Sequence, residues 1–409
     1  MPIPLRNTRT RAHMTERASA PRLALFWFGI QAVWGALLGI SLQSRSADLA
    51  ETNAIALYGI LAVSGAAVAA AAQLAAGVWS DSLARRGRGR TGFYVWGALT
   101  GACALLWFYT ARDVQQLVLS VVALQAGMNL AIGAYQAVVP DAVEPSRYGA
   151  ASAWMAALQS AGNATGAAVA ALVSDARLVG VLLSALLLLT CGATVAHVRR
   201  LPLRAARAGT DLTISQAFVD LFVSRALVYT GFYTLLGYLY FYVAALPRAQ
   251  HLPVKAESGI LILLFTVVGV IGAAVAARPS DRYDKRAIVT AGGAIVACAL
   301  ALFVATDSLP MAAVAAGAAG IGWGIFLVAD WALACRVLPP GALATTMAIW
   351  NLAVVGPQIA APLLAGALLL KSHILERQNW PRVAFTLAIA EIILGILWIW
   401  RLPRGLSVE

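Results

Sequence analysis

Residues 77–90 read GVWSDSLARRGRGR, and residues 279–286 read PSDRYDKR. Both stretches contain a Ser-Asp pair followed by basic residues, and both lie between two long apolar segments. The same short unit therefore occurs once in each half of the chain. A repeat of this kind in an apolar chain predicts a membrane protein made of two related halves, an architecture that many transporters use.

The composition also indicates a membrane protein. Of the 409 residues, 61% are hydrophobic and 12% are charged, and the mean hydropathy is +0.78. An ordinary soluble domain carries about 25% charged residues. A spanning helix needs about 20 apolar residues, and we find suitable stretches at 23–43, 54–76, 93–110, 115–139, 149–173, 178–198, 224–246, 258–277, 287–305, 311–335, 342–370 and 382–400. We therefore predict an all-α membrane protein with twelve transmembrane helices in two pseudosymmetric six-helix bundles.

The basic residues are unevenly distributed between the two sides of the predicted membrane. Most of the 30 Lys and Arg residues lie in the N-terminal tail and in the loops that follow even-numbered spans. Positive residues stay on the cytoplasmic side during insertion, so we expect both termini in the cytoplasm and the chain in the plasma (inner) membrane. The net charge of +12 then reflects topology and not a nucleic-acid partner. The expected partners are the lipid bilayer, a small-molecule substrate and protons, with the chain acting as a monomer.

The pattern divides the chain into five regions. These are a disordered cytoplasmic tail at 1–20, a six-helix bundle at 21–198, a cytoplasmic linker at 199–223, a second bundle at 224–402 and a short tail at 403–409. The four cysteines fall in apolar spans without CxxC spacing, and the four histidines are scattered. No set of nucleophile and base stands out. We therefore expect no metal, no cofactor and no enzymatic activity.

Four stretches are similar to a known family. They are Gly29-Ile30-Gln31, residues 77–90, residues 136–141 (QAVVPD) and residues 320–333 (GIGWGIFLVADWAL). Through them the chain resembles the major facilitator superfamily over nearly its full length, and within it the branch of sucrose–proton symporters and their bacterial relatives. The resemblance implies two lobes around a central cavity, alternating access and proton-coupled movement of a sugar or glycoside. Gln136 stands where that branch has Arg, which removes one charge partner.

Two aspartates are candidates for proton coupling. Asp330 lies in a span that is otherwise apolar from Met311 to Cys335. An ionised carboxylate in hydrocarbon is costly, so Asp330 faces a cavity, pairs with a cation or is protonated. Asp141 ends the fourth span, and the resemblance to the symporters makes it the second candidate. The alternatives are a static hydrogen bond between helices for Asp330 and a helix-terminal loop for Asp141.

Uncharged polar residues occur at helical spacing within several spans. Gln125 and Asn129, for example, are four residues apart and share a face. Amides bond hydroxyl groups and aromatic rings pack on apolar faces, which suits a neutral polyhydroxyl ligand. The predicted substrate-binding residues are Gln31, Trp34, Asn129, Gln136, Asn163, Trp323, Asn351 and Gln358. The alternative is hydrogen bonding between helices, which contributes about 0.6 kcal/mol per residue.

The repeated Ser-Asp units predict a gate at the cytoplasmic end. An Asp at the end of a span can pair with loop arginines and with the positive end of a neighbouring helix. Such contacts can form in one state and break in the other. The predicted gate residues are Asp81, Arg85, Arg90, Arg147, Asp281, Arg282, Arg286 and Arg336. The alternative is that these charges only set the topology.

Three functions remain open from the sequence. The first is a secondary active transporter of a small neutral polar solute, a sugar or glycoside, with proton symport. The second is an efflux antiporter for amphipathic compounds. The third is a membrane assembly or pigment-delivery factor on the same fold, without turnover of any solute.

Overall fold

The computed structural model describes residues 18–50, 53–143, 148–201, 214–247, 253–337, 343–371 and 380–404. These residues are almost entirely helical and contain no strand. Among them, eleven helical spans are long and apolar enough to cross a membrane. The helix Tyr148–Leu172, with 25 residues, completes a set of twelve. The predicted all-α membrane fold is therefore confirmed.

The helices fall into two groups along the chain. The first lobe contains α1 (Ala20–Ala36), α2 (Leu42–Ala50), α3 (Ala54–Arg85), α4 (Thr91–Thr110), α5 (Val114–Tyr135), α6 (Val138–Ala142), α7 (Tyr148–Leu172) and α8 (Ala176–Val198). The second lobe contains α9 (Gln216–Ala245), α10 (Val254–Arg282), α11 (Lys285–Ala305), α12 (Leu309–Val337), α13 (Leu343–Lys371) and α14 (Trp380–Trp398).

Side-chain caps fix where several helices begin. Asp113 caps α5 and Asp175 caps α8. Ser215 caps α9 by accepting a hydrogen bond from the backbone N–H of Phe218 at 3.1 Å. A cap of this kind satisfies a backbone donor that has no partner within the helix. Because α9 begins directly after Ser215, residues 216–223 belong to this helix, although the sequence predicts them as part of the linker.

The two Ser-Asp units lie in the last turns of α3 and α10, which continue well beyond the predicted ends of their spans. Helix α3 runs through Ser80 and Asp81 to Arg85, and α10 runs through residues 279–282. We call this side of the molecule the basic-loop end and the opposite side the far end. Since consecutive spans alternate in direction, twelve spans place both ends of the described chain at the basic-loop end.

The first span contains an irregular turn. Helices α1 and α2 are joined by a π-helical turn, Leu37–Ser41, into one continuous span, Ala20–Ala50. The side-chain amide of Gln43 donates to the carbonyl oxygen of Leu38 at 2.8 Å and lies 3.5 Å from the carbonyl oxygen of Leu236 on α9. The turn therefore carries a polar contact to the second lobe.

Close approach of helix backbones depends on small residues. A methyl group at Gly166 on α7 would lie 1.8 Å from the carbonyl oxygen of Ala32 on α1. In the second lobe, a methyl group at Gly324 on α12 would lie 2.0 Å from the carbonyl oxygen of Gly269 on α10. Helices in a membrane associate through such close packing, because lipid gives no hydrophobic driving force between them.

The two lobes contact each other through α3 with α13 and α7 with α10. Near the far end, the ring of Tyr58 on α3 packs edge-on against Tyr238 and Phe241 of α9, with centroid distances of 5.7 and 5.9 Å. Gly259 on α10 faces Ala171 on α7 at the same end. Rings and small residues thus join the lobes at the far end.

Candidate functional site

A cavity lies between the two lobes and is lined by polar residues from both. Tyr58 and Gln125 come from the first lobe, and Tyr233 and Gln358 come from the second. The remaining lining is apolar and consists of Leu38, Leu42, Ala62, Leu236, Gly237 and Pro362. Among the residues that the structure describes, no charged side chain lines the cavity. Phenols, amides and apolar surface are the groups that bind a neutral ligand with hydroxyl groups. In this conformation the cavity has a volume of about 20 Å³, which is room for about one water molecule.

Hydrogen bonds hold the polar residues of the cavity in place. The amide of Gln358 donates to the hydroxyl oxygen of Tyr233 at 3.0 Å. Asn129 donates to the side-chain oxygen of Gln125 at 3.0 Å and to its backbone carbonyl at 2.9 Å. Gln125 and Asn129 are both buried. Asn129 therefore orients Gln125, which itself lines the cavity.

A buried ion pair lies in the second lobe. Arg225 on α9 donates to the carboxylate of Asp330 on α12. The guanidinium also lies over the rings of Tyr229 and Trp350, at 4.7 and 4.6 Å from their centroids. Charge pairing and cation–π contacts both stabilise a cation that has lost its water. Asp330 thus has a cation partner, which is one of the three outcomes that the sequence predicts.

The ion pair is connected to the cavity along one face of α9. Arg225, Tyr229 and Tyr233 are spaced four residues apart, so they lie above one another on the helix. Arg225 Nη2 donates to the hydroxyl oxygen of Tyr229 at 3.3 Å, and the rings of Tyr229 and Tyr233 are 6.2 Å apart. We call these three residues the α9 ladder. Through the hydrogen bond between Tyr233 and Gln358, the ladder joins Asp330 to the central cavity.

Trp323 packs inside the second lobe. Its indole stacks on Phe232 with a centroid distance of 4.1 Å and an interplanar angle of 11°. It also contacts the rings of Tyr229 and Phe326, at 5.0 and 5.4 Å. Trp323 therefore packs against Tyr229 of the α9 ladder and is not among the described residues that line the cavity.

The other predicted substrate-binding residues are spread over several contacts. Gln31 donates to Gln159 at 3.2 Å within the first lobe. Asn351 donates to Gln73 at 3.5 Å and so links α13 to α3 across the lobes. The remaining three, Trp34, Gln136 and Asn163, are half-buried and do not line the cavity. Of the predicted set, only Gln358 lines the cavity directly.

Sequence reasoning did not assign Tyr58 or Arg225 to the site. Tyr58 lies close to the start of its helix, where aromatic residues commonly mark the membrane interface. Arg225 lies at the predicted start of its span, where a basic residue reads as a topology signal. The spacing of Arg225, Tyr229 and Tyr233 was the available signal, because a charge and two phenols on one helical face are unusual inside a span.

In the first lobe, Arg90 is the centre of the predicted gate. Its guanidinium pairs with Asp81 at 2.6 Å and with Asp141 at 2.8 Å, and donates to the hydroxyl of Ser80 at 2.8 Å. Arg90 is 7% exposed. Burial raises the pKa of the Asp141 carboxyl above its usual value, and the charge of Arg90 opposes this rise. The cluster ties the end of α3 to the loop before α4 and to α6.

In the matching region of the second lobe, the described ion pair contains Asp284. Arg286 pairs with Asp284 at 2.7 Å and donates to the carbonyl oxygen of Leu402 at 2.7 Å. Arg336 is exposed at the end of α12. The predictions for Arg147 and for the side chains of Arg85, Asp281 and Arg282 lie outside the described residues.

Comparisons with known proteins bear on the fold. The family described as Major Facilitator Superfamily matches residues 23–361 and 256–408. No curated protein matches the chain. Among solved structures, a bacterial homologue of the human lysosomal transporter Spinster, inward-facing and occupied, is 15% identical with a TM-score of 0.71, covering 95% of this chain and 97% of that one. A D-xylose–proton symporter is 12% identical with a TM-score of 0.70, covering 95% and 98%. The nucleoside transporter NupG is 11% identical with a TM-score of 0.67, covering 94% and 100%.

Proposed function

The chain belongs to the Major Facilitator Superfamily and is a secondary transporter; we propose that it moves a small neutral polar solute, a sugar or glycoside, together with a proton. The central cavity carries this proposal. Its polar lining comes from both lobes and is uncharged, so rocking of the lobes about this site would open it to each side of the membrane in turn. The fold accommodates such cargo, since a D-xylose–proton symporter shares it.

The ion pair of Arg225 and Asp330 is the proposed coupling site. When Asp330 takes up a proton, it no longer neutralises Arg225, and the guanidinium, which also donates to Tyr229, is free to shift its position. A shift at Tyr229 passes along the α9 ladder to Tyr233, whose hydroxyl bonds Gln358 in the cavity. Proton binding and solute binding then act on the same helix. The membrane potential supplies about 2.3 kcal/mol per charge per 100 mV to this movement.

The Arg90 cluster, with Asp81 and Asp141, is the proposed cytoplasmic gate of the first lobe. It holds the ends of α3 and α6 together through charge-assisted hydrogen bonds. In this proposal the basic-loop end faces the cytoplasm, so both termini are cytoplasmic, and the protein lies as a monomer in the plasma (inner) membrane. Because Asp330 is joined to the cavity through the α9 ladder, whereas Asp141 belongs to the gate cluster, Asp330 is the stronger candidate for carrying the transported proton.

The test uses purified protein in proteoliposomes with an imposed pH gradient and a panel of labelled sugars and glycosides. We expect accumulation of at least one solute, driven by the gradient. Asp330→Asn should abolish accumulation while it retains exchange of internal for external solute, and this exchange shows that the carrier is folded. Asp330→Glu, which keeps the charge, should retain part of the accumulation. Unchanged accumulation by Asp330→Asn would remove Asp330 from the mechanism.

One observation favours efflux of amphipathic compounds as the second candidate. Most of the cavity lining is aliphatic, including Leu38, Leu42 and Pro362. Such a surface also binds apolar groups. The same liposomes, tested with lipophilic cations and amphipathic dyes, separate the two functions. If none of these compounds or the sugars is moved and a partner protein co-purifies, the assembly-factor alternative replaces both.

A further inference from the structure

Glu391 is a buried carboxyl that neither the cavity nor the ion pair uses. It lies within α14 and is 5% exposed. Its Oε2 atom is 3.2 Å from the hydroxyl oxygen of Thr234 on α9. Its Oε1 atom has no hydrogen-bond partner among the described residues. The carboxyl thus faces the packed interface between α9 and α14.

The single hydroxyl proton of Thr234 indicates whether the Glu391 carboxyl is protonated or ionised. The hydroxyl of Thr234 also lies 2.9 Å from the backbone carbonyl oxygen of Thr230, one turn earlier. A threonine hydroxyl has one proton, so it donates to one of these two acceptors. The shorter contact is with Thr230. The contact between Thr234 and Glu391 is then a hydrogen bond only if Glu391 carries the proton and donates it.

The ionised alternative is costly in this surrounding. A carboxylate at this position would accept from one neutral hydroxyl and leave its other oxygen without a donor. Burying a charge without a cation and without a full set of hydrogen bonds is strongly unfavourable. A neutral acid needs only the one partner that Thr234 supplies. The local geometry therefore fits the protonated form.

The charged groups on the helices packed against α14 determine whether a charge at Glu391 would be compensated. Among the described residues, none forms an ion pair with it. Arg225 lies nine residues before Thr234 on α9 and pairs with Asp330, and Arg382 lies nine residues before Glu391 and pairs with Asp307. Nine helical residues span about 13 Å. The other titratable groups on these helices are Asp220, Tyr229, Tyr233, Tyr238, Tyr240 and Tyr242 on α9, Lys285, Arg286 and Cys298 on α11, Lys371 on α13 and Arg401 after α14.

We propose that Glu391 is a proton-binding site separate from Asp330. Glu391 holds its proton at neutral pH and thereby keeps α9 packed against α14. The packing is close at this level, since a methyl group at Gly231 on α9 would lie 2.6 Å from Ile392. A charge at Glu391 would draw water into this contact and move the helix that carries the α9 ladder. The transporter would then lose its folded second lobe at alkaline pH.

Infrared spectroscopy of the purified full chain tests the protonation directly. At neutral pH we expect a carbonyl band of a neutral carboxylic acid that is lost in Glu391→Gln and retained in Asp330→Asn. Thr234→Val should shift this band, because the acid loses its hydrogen-bond acceptor. Spectra of the wild type and Glu391→Gln that coincide in this region at neutral pH would overturn the proposal.

Thermal unfolding gives a second, independent readout. Glu391→Gln mimics the neutral acid, so its unfolding midpoint should match that of the wild type at neutral pH. At alkaline pH the wild type should unfold at a lower temperature than Glu391→Gln. A wild-type midpoint that stays equal to or above that of Glu391→Gln at alkaline pH would contradict the proposal. Neither measurement needs a transported solute, so both outcomes are independent of the proposed transport function.

Discussion

Arg225 on α9 forms an ion pair with Asp330 on α12, and the two side chains are 9% and 2% exposed. Removing one partner of a buried pair leaves a charge that nothing nearby neutralises. The states of the two residues are therefore coupled, and so are the positions of the two helices that carry them.

This coupling predicts a non-additive effect on stability. Asp330→Asn alone should lower the free energy of unfolding by about 3–5 kcal/mol, because Arg225 remains charged and buried. The double variant Arg225→Gln with Asp330→Asn should regain most of this loss. Chemical denaturation in detergent measures both. A double variant that loses the sum of the two single effects would show that the residues act separately.

The cavity residue Gln358 should contribute to solute affinity. Gln358→Leu keeps the size of the side chain but removes its donors, so we expect affinity for the transported solute to fall about fivefold, the equivalent of one hydrogen bond of about 1 kcal/mol. Binding to the purified protein measures this effect. The matched control is Thr386→Ala, which removes an exposed hydroxyl from α14. Equal affinities for Gln358→Leu and the control would place the solute elsewhere.

Closure of the far end should depend on Gly259. A methyl group at this position would lie 2.0 Å from the methyl group of Ala171 on the other lobe. Overpacking costs about 1–3 kcal/mol, and here the lobes can escape it by separating. We expect Gly259→Val to reduce the population closed at the far end about 5- to 150-fold, and with it the rate of uptake.

The control for Gly259→Val is Gly366→Ala, since no described atom outside the adjoining backbone of its own helix lies within 4 Å of the added methyl group. This variant should transport at nearly the wild-type rate. Accessibility of a cysteine label at the far end would report the position of the lobes. Full uptake by Gly259→Val would show that closure of the far end does not depend on the contact between Gly259 and Ala171.

The carboxyl of Asp141 predicts a pH-dependent difference in stability. Burial raises its pKa, and Arg90 opposes only part of this rise. A carboxyl with a raised pKa favours folding below its unfolded pKa of about 4, and this contribution is lost as pH rises through the folded value. The wild type should therefore lose stability relative to Asp141→Asn between acid and neutral pH. Thermal midpoints of the two proteins that run parallel over this range would contradict the prediction.

The sequence was sufficient to predict the fold class, because hydropathy and length decide whether a helix can span a membrane. Asp330 was also predictable, since a single charge in an apolar span has few explanations. Its partner Arg225 was missed, although its spacing to Tyr229 and Tyr233 was a signal. The span was predicted to start at residue 224, which places Arg225 at the membrane surface. In the structure α9 begins at Gln216, and the earlier start buries Arg225 inside the lobe.

The cavity was harder to predict than the ion pair. Its four polar residues come from α3, α5, α9 and α13, and the register of these helices follows from packing between distant segments. Tyr58, for example, faces the cavity only because α3 and α9 meet at the far end. Amide spacing along one helix identifies a shared face but does not show which neighbour that face meets.

The π-helical turn Leu37–Ser41 allows the first span to contact both lobes. Such a turn holds one residue more than an α-helical turn, so the helix beyond it is rotated by about 100°. Before the turn, Gln31 bonds Gln159 in its own lobe; after it, Gln43 reaches Leu236 of the other lobe. Deleting one residue from the turn would restore a regular helix and swing Gln43 away from Leu236. The extra residue thus changes the face of the helix that meets each neighbour, so that one continuous span contacts its own lobe before the turn and the second lobe after it.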